Sequence, residues 1–332
     1  MTVSGSSTPE KVAPGIFRIT IPLPFPPREV AAWAVRIEGG WMLVDSGMDT
    51  PAARTALLDG ARALGIRPAD LVLVVLTHVH VDHYGLAGMV RDWSGARVVI
   101  HEIEERLARR WVDCWEEDRS LVKAGLHAAG VPADRLPPML EVVDVAHRLY
   151  PTFHPDQVLH GERGQLPVAD GWDWILTPGH SPGHICLHHP ERRILISGDH
   201  ILPRISPNIG ADVYAADPLT GYLASLRHLR DLRVELVLPS HGPPFHDMQG
   251  RIDDLLAHHD ARNDQLCQLL QHPQTAYELT VGVFGEIPPE SQVHALREML
   301  AHLLHLRGAG RVERLAGEPE GWVASCGLGA VA

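Results

Sequence analysis

Short apolar runs rich in β-branched and aromatic residues alternate with amphipathic stretches through the first 250 residues of the chain. Runs of four to eight such residues are typical of strands, and apolar positions three or four residues apart are typical of helices. The pattern predicts strands at residues 16–21, 30–37, 41–45, 71–76, 97–101, 172–176, 185–189, 194–197 and 234–238. It predicts helices at residues 50–65, 82–93 and 223–232. This alternation indicates an α/β fold in which helices pack on sheets.

A helical insertion interrupts the alternation from residue 102 to about residue 165. Apolar residues at helical spacing run from Ile103 to Val122, and a second helical stretch runs from Pro138 to Tyr150. Such an insertion forms a lid or pocket wall, or it supplies packing surface or a dimer face. The pattern alone leaves both roles open.

The chain becomes mainly helical again from about residue 251. Three amphipathic helices, the second opening with a capping box at Thr275 and Glu278, precede a predicted hairpin at residues 311–315 and 322–324. We therefore divide the chain into a domain of residues 1–250 and a winged-helix-like domain of residues 251–332. The second domain carries 6 Arg against 11 Asp and Glu. This balance disfavours nucleic acid and favours packing or homodimer formation.

Composition restricts the class of protein and its surroundings. The 332 residues are 45% hydrophobic and carry a net charge of -12, which disfavours generic binding to nucleic acid or acidic membranes. No apolar run reaches bilayer length, and the first 15 residues lack the apolar core of a signal peptide. The four Cys are far apart, so neither a disulfide framework nor a Cys-type zinc site is indicated. We expect a cytoplasmic protein that acts on a small molecule, with no membrane partner.

The most informative polar cluster directly follows the apolar run at residues 71–76. His78, His80, Asp82 and His83 lie within six residues there. Three imidazoles and a carboxylate crowded at the end of a buried strand are costly to desolvate unless a cation holds them. The cluster therefore predicts a metal site.

Three later segments each place a His or Asp beside Gly or Ser at the end of a predicted strand. These residues are His180, Asp199 and His241, and His184 follows the first of them in a second Pro-Gly-His sequence. Small neighbours allow the backbone to come close to a central ion. We expect His180, Asp199 and His241 to complete the ligand set, and His184 to be structural.

In these motifs the chain resembles the metallo-β-lactamase superfamily, whose signature is His-x-His-x-Asp-His followed by His, Asp and His. The resemblance covers residues 15 to 248 and implies an αββα sandwich with the site at the edge between two sheets. It implies that one metal is held by His78, His80 and His180. It also implies that a second metal is held by Asp82, His83 and His241, with Asp199 bridging the two. Asp45 matches the family's early Asp, which orients a ligand His.

Two departures within the family restrict the chemistry. Asp199 stands where one class of zinc β-lactamases has Cys, so hydrolysis of antibiotics is not expected. His80 stands where the di-iron oxygen reductases of this fold have Glu, which favours zinc over redox iron. The imidazole-rich ligand set is consistent with two Zn²⁺ and leaves iron or manganese open.

The charge of such a centre predicts hydrolysis. Two divalent cations with Asp82, Asp199 and a bridging hydroxide leave a net positive charge that stabilises a developing oxyanion. Metal binding also lowers the pKa of water from about 16 towards 7, so hydroxide forms at neutral pH. We expect Asp82 and Asp199 to act in catalysis, and Asp82 also to handle a proton.

Hydrolysis of a small ester or thioester is the favoured reaction, since the motifs resemble those of hydroxyacyl-thioester hydrolases. Lactone hydrolysis, RNA or DNA phosphodiester cleavage, a mononuclear iron persulfide dioxygenase and a metal-stabilised scaffold are the alternatives. Arg204, Asn208 and Tyr214 follow the bridging Asp and are the predicted substrate contacts. Trp111, Trp115 and Phe153 of the insertion either line the pocket or form the core of a helical lid.

Overall fold

A computed structural model describes residues 8–150, 153–211 and 217–325 of the chain. The strands are β1 (Glu10–Ala13), β2 (Ile16–Pro22), β3 (Glu29–Ile37), β4 (Gly40–Val44), β5 (Leu71–Val75), β6 (Arg97–His101), β7 (Gln157–Leu159), β8 (Arg163–Gln165), β9 (Asp173–Leu176), β10 (Ile185–His189), β11 (Ile194–Gly198), β12 (Leu236–Pro239), β13 (Val312–Leu315) and β14 (Gly321–Ala324). The helices are α1 (Pro51–Ala63), α2 (Val81–Tyr84), α3 (Ala87–Ser94), α4 (Glu102–Asp113), α5 (Trp115–Ala128), α6 (Leu136–Arg148), α7 (Pro218–Arg230), α8 (Met248–Leu269), α9 (Ala276–Phe284) and α10 (Pro289–Gly308). Within the described ranges, none of these helices has both the length and the apolar composition needed to cross a bilayer.

The chain forms two compact units, and the first contains the described parts of residues 1–113, 149–207 and 230–251. One of its sheets has the strand order β1-β2-β3-β4-β5-β6-β7 and the other has the order β12-β11-β10-β9-β8. Pairing in the first sheet is antiparallel from β1 to β4 and parallel from β4 to β7. In the second sheet β11 and β12 are parallel, and the other pairs are antiparallel. The mixed α/β fold predicted from the sequence is confirmed.

Side chains alternate between the two faces of each strand, and both faces of the first sheet are covered by buried clusters. Trp33 and Met42 of one face share a buried cluster with Leu187 of the second sheet. On the other face, Ala34 and Leu43 belong to a second cluster that includes residues of α1 and α3. Burial on both faces explains why strands such as β5 are almost entirely apolar.

Some elements differ from the prediction made from the pattern. The helix predicted at residues 82–93 is two helices, α2 and α3, because the backbone nitrogen of Leu86 donates to the carbonyl oxygen of Gly47 at 2.9 Å instead of continuing the helical hydrogen bonds. The chain also packs closely at Gly85, just before this break. A Cβ at Gly85 would lie 2.7 Å from the backbone nitrogen of Asp49. The strands β1, β7 and β8 were not predicted, since each has only three or four residues and little apolar alternation. Short polar strands of this kind depend on their neighbours in the sheet rather than on their own sequence.

The second unit contains the described parts of residues 114–148, 208–229 and 252–332. Leu126, Met139, Leu266 and Trp322 pack in its core, which joins α5, α6, α8, α10 and the hairpin β13–β14. The capping box at the start of α9 is present, since the hydroxyl of Thr275 accepts from a backbone N–H 3.1 Å away. Contacts thus group part of the insertion with the C-terminal helices, while the domain boundary at residue 250 stays a prediction.

Candidate metal centre

The predicted metal ligands of the first unit are carried by segments that follow its strands. Residues 77–83 follow β5, residues 177–184 follow β9, Asp199 follows β11 and His241 follows β12. Because β5 lies in one sheet and β9, β11 and β12 lie in the other, the two sheets both contribute to the site. The structure brings together all seven predicted ligands.

Three imidazole nitrogens meet at one side of the site. Nδ1 of His80 lies 3.0 Å from Nε2 of His78 and 2.9 Å from Nε2 of His180. Each pair of these rings stands edge to face. This is a set of three ligand atoms that could hold one metal ion.

A second set of ligand atoms comes from Asp82, His83 and His241. Oδ2 of Asp82 lies 3.7 Å from Nε2 of His83 and 3.5 Å from Nε2 of His241. One carboxylate and two imidazoles at these distances are a donor set that suits a divalent cation such as zinc.

Asp199 lies between the two sets and directs one oxygen to each. Its Oδ2 is 3.4 Å from Nε2 of His180. Its Oδ1 is 3.5 Å from Nε2 of His83 and 3.5 Å from Nε2 of His241. The position of Asp199 therefore matches that of a carboxylate with an oxygen available to each of two ions.

Two buried atoms of the site test whether a metal fits it. Nε2 of His83 and Oδ1 of Asp199 are buried, and neither has a hydrogen-bond partner among the described residues. Buried polar atoms without partners are costly, and a cation that binds both removes the cost. The residues present therefore fit a divalent metal.

The ring orientations are fixed by hydrogen bonds on the side away from the site. Asp45 accepts hydrogen bonds from the backbone nitrogen of Thr77 at 2.8 Å and from Nδ1 of His83 at 2.8 Å. The carbonyl oxygen of Glu29 lies 2.9 Å from Nδ1 of His241, so this nitrogen donates to it. Both contacts leave Nε2 of the ring to face the site.

The charges of the second set shift the pKa values of its members. Burial opposes the charged form of His241, but Asp199 and Asp82 outweigh it and raise the pKa of His241 to about 10. Burial and the neighbouring imidazoles, including His83, together hold the pKa of His78 well below its usual value. Carboxylates therefore favour the charged form of His241, whereas burial and the neighbouring imidazoles favour the neutral form of His78.

Sequence reasoning assigned His184 a structural role without identifying its partners. Its Nδ1 lies 2.8 Å from the hydroxyl of Thr177, and its Nε2 accepts a hydrogen bond of 3.2 Å from the backbone nitrogen of Asp199. The contribution of Glu29 was missed, because a backbone carbonyl leaves no signal in the residue types.

The structure describes two of the three predicted substrate contacts. Arg204 is exposed in the first unit. Asn208 belongs to the second unit, where its amide nitrogen donates to Oε2 of Glu298 at 3.3 Å. Tyr214 lies outside the described residues. These three residues stay predictions.

The aromatic residues of the insertion lie in different units. Trp111 stacks on Tyr150 in the first unit, and Trp115 stacks on His147 in the second. Phe153 packs against Tyr84 in the first unit. These contacts show packing within each unit.

Comparisons with known proteins agree with the geometry of the site. A sequence profile of the metallo-beta-lactamase superfamily matches residues 25–241. The chain is 26% identical over 294 residues to the probable metallo-hydrolase YqjP of Bacillus subtilis strain 168. The aligned residues make up 87% of this chain and 91% of that protein. The crystal structure of a metallo-beta-lactamase family protein from Thermus thermophilus is similar with a TM-score of 0.83 and 33% identity, over 95% of this chain and 100% of that one. An atrochrysone carboxyl ACP thioesterase from Aspergillus fumigatus is 28% identical over 161 residues, 46% of this chain and 34% of that protein.

Proposed function

The chain belongs to the metallo-beta-lactamase superfamily and is an enzyme of it, and from this premise we propose that it is a dinuclear zinc hydrolase of small esters or thioesters. The superfamily predicted from the His-x-His-x-Asp-His motif is confirmed. Binding of divalent metal is supported by the clustered His and Asp ligands. The proposal adds three points to this: the number of ions, their identity and the substrate.

The observation that carries the proposal is the placement of Asp199. Its two oxygens lie 3.4 Å from His180 and 3.5 Å from His83, which belong to different ligand sets. A carboxylate with one oxygen towards each set is suited to two ions rather than one. Zinc is favoured because five of the seven donors are imidazoles and none is a thiolate, with iron or manganese as the alternatives.

Bound zinc supplies a Lewis acid and lowers the pKa of water so that a nucleophile is available near neutral pH. The chain's own residues supply the rest. Asp82 is the carboxylate of the second set, with Oδ2 3.5 Å from Nε2 of His241, and is proposed to accept a proton during turnover. Asp45 and the carbonyl of Glu29 hold the two imidazoles of that set in fixed orientations.

The ester or thioester substrate is favoured over a phosphodiester. A net charge of -12 gives a repulsive long-range field for nucleic acid. One similar protein is an acyl-carrier-protein thioesterase, although this chain spans only about a third of its length. Hydrolysis of a lactone uses the same chemistry and is the second candidate within the same site.

The test combines metal analysis with a hydrolysis panel on the full chain. We expect about two equivalents of zinc per chain and turnover of a thioester or ester, with phosphodiesters inert. Asp199→Asn should lose at least one equivalent of zinc and lower kcat/KM by at least about 100-fold, since replacing the outer partners of metal ligands alone costs up to that much. Asp231→Asn, an exposed carboxylate of the same unit, is the matched control. One equivalent of iron with oxygen uptake, or turnover of phosphodiesters alone, would contradict the proposal.

A further inference from the structure

Glu104 is a charged residue in the first turn of α4 whose side chain is fully buried, with 0% exposure. Burial of a carboxylate is costly unless donors satisfy its oxygens, so a buried Glu needs an explanation. Its neighbours in sequence, Glu102 and Glu105, are less buried and pair with Arg106 and Arg109 on the helix surface. Glu104 instead points inward.

The carboxylate of Glu104 accepts hydrogen bonds from two separate loops, and three of these bonds are described by the structure. The backbone nitrogen of Val79 donates to Oε2 at 2.9 Å. The hydroxyl of Ser181 and the backbone nitrogen of Gly183 donate to Oε1 at 2.5 Å and 2.6 Å. Each of these three groups is a hydrogen-bond donor, so the position suits a carboxylate, which accepts at both oxygens.

The two loops held by Glu104 carry the three imidazoles of the first ligand set. Val79 lies between His78 and His80, and Ser181 directly follows His180. We infer that Glu104 is a positioning residue, which fixes the His78–His80 loop against the His180 loop and so sets the geometry of that metal site. This inference rests on the proposed function, because it concerns the same metal centre. Glu104 is not itself a proposed ligand.

The close approach of the two segments supports the inference independently. A Cβ at Gly183 would lie 2.7 Å from Cβ of Ile103 and 2.9 Å from the backbone nitrogen of Glu104. Contacts this short do not occur in folded proteins, so only glycine allows the loop to lie against the start of α4. The backbone is thus shaped to bring the loop within reach of the carboxylate.

The imidazoles of the second ligand set are oriented by hydrogen bonds to other residues. Asp45 holds His83, and the carbonyl of Glu29 holds His241. A change at Glu104 should therefore weaken one metal equivalent more than the other. Replacement of outer hydrogen-bond partners of metal ligands lowers metal affinity by about 10-fold to 100-fold, which gives the size of the expected effect.

The experiment is a competition between the full-length chain and a chromophoric chelator for Zn²⁺, which resolves the two equivalents by affinity. Glu104→Gln places an amide NH₂ where one carboxylate oxygen accepts a hydrogen bond. At least one donor among Val79, Ser181 and Gly183 therefore loses its acceptor. We expect one equivalent to be released at about 10-fold to 100-fold lower chelator concentration, with the affinity of the other changed less. The d–d absorption of the Co²⁺-substituted protein should change for the same equivalent.

Two further variants make the result decisive. Ser181→Ala removes one donor without disturbing the backbone, and it should act in the same direction by a smaller factor. Glu102→Gln, on the surface of the same helix turn, should match the wild type in zinc affinity and in the Co²⁺ spectrum. If Glu104→Gln does not fold, the Ser181→Ala result decides.

Two outcomes would overturn the inference. The first is wild-type affinity for both equivalents in Glu104→Gln and Ser181→Ala. The second is an equal loss of both equivalents with an unchanged Co²⁺ spectrum, which indicates a general loss of stability. A wild-type chain that binds no second metal would instead contradict the proposed dinuclear function, so the two failures are distinct.

Discussion

Asp45 Oδ2 lies 2.8 Å from Nδ1 of His83, in a contact where both side chains are almost completely buried. The same carboxylate accepts from the backbone nitrogen and the hydroxyl of Thr77. Asp45 therefore links the end of β4 to Thr77, which begins the segment of residues 77–83, and to His83, which ends it. The backbone of Asp45 has a positive φ of 60°, a conformation that non-glycine residues seldom adopt. Its side-chain contacts hold the residue in that conformation.

Asp45→Asn should weaken metal binding without removing a predicted ligand. An asparagine has one acceptor oxygen where the carboxylate serves both Thr77 and His83, so the orientation of His83 is less fixed. We expect the affinity of one zinc equivalent to fall by about 10-fold to 100-fold, measured by chelator competition. Asp49→Asn is the control, because Asp49 pairs with Arg54 on the surface. Equal zinc affinity in the two variants would contradict the role of Asp45.

Gly198→Ala should displace Asp199 from the site. Gly198 has a φ of +53°, and a methyl group there would overlap the ring of His184, which is held by Thr177. The cost combines the strained backbone with overpacking, about 2–4 kcal/mol in the free energy of unfolding.

Gly95→Ala provides the matched control for Gly198→Ala. Gly95 also has a positive φ, +75°, but no atom lies within 4 Å of the added methyl group. Its cost should be about 1–2 kcal/mol, from the backbone alone, and its zinc content should not change. Urea unfolding and metal analysis of both variants separate the two effects. A zinc content in Gly198→Ala equal to that in Gly95→Ala would show that Asp199 had not moved.

Removal of metal should lower the thermal stability of the chain. A ligand that binds only the folded state stabilises it by about 2.7 kcal/mol when its free concentration is 100-fold above Kd. We expect Tm to fall on chelation and to recover when zinc is added back. A His78→Ala, His180→Ala double variant should respond less, because one ligand set is broken. An unchanged Tm in the wild type after complete chelation would contradict a metal site in the folded core.

The seven residues predicted as metal ligands lie together in the structure, and the sequence could single them out because each is at or just after the end of a strand. His78 to His83 form one continuous motif after β5, and His180, Asp199 and His241 each follow a later strand. Glu104 could not be predicted, because its partners Val79 and Ser181 are 25 and 77 residues away. In the sequence it looks like its surface neighbours in α4.

The fold shows the same division between local and long-range signals. The capping box at Thr275 is a local pattern, and the structure contains it. The break between α2 and α3 was missed because it depends on a hydrogen bond from the backbone nitrogen of Leu86 to the distant carbonyl oxygen of Gly47. The grouping of α5 and α6 with the C-terminal helices leaves no local signal, because their shared core joins residues as distant as Leu126 and Trp322. Hydrophobic periodicity indicates which face of a helix is buried, but not what covers it.

A pair of buried histidines in the second unit should make the chain less stable in mild acid. Nδ1 of His259 lies 3.3 Å from Nε2 of His302, and Nδ1 of His302 lies 2.7 Å from Oδ1 of Asn263. Burial, reinforced by the neighbouring positive charges, lowers the pKa of His259 to about 3 and that of His302 to about 2. Both rings are therefore neutral in the folded chain through most of the acid range.

The unfolded chain binds a proton at each of these histidines below a pH of about 6.5, whereas the folded chain does not. Stability is thus fully present above about pH 6.5 and is lost as pH falls towards 3, by up to about 1.4 kcal/mol per pH unit for each ring. His302→Asn keeps a donor towards Asn263 but removes one titrating group. It should lower stability at pH 7.5 and also reduce the loss between pH 7.5 and pH 5, as measured by urea unfolding. His272→Asn, at an exposed position of the same unit, should keep the wild-type dependence on pH. A loss of stability in His302→Asn as steep as in the wild type would show that the buried ring takes up its proton without unfolding.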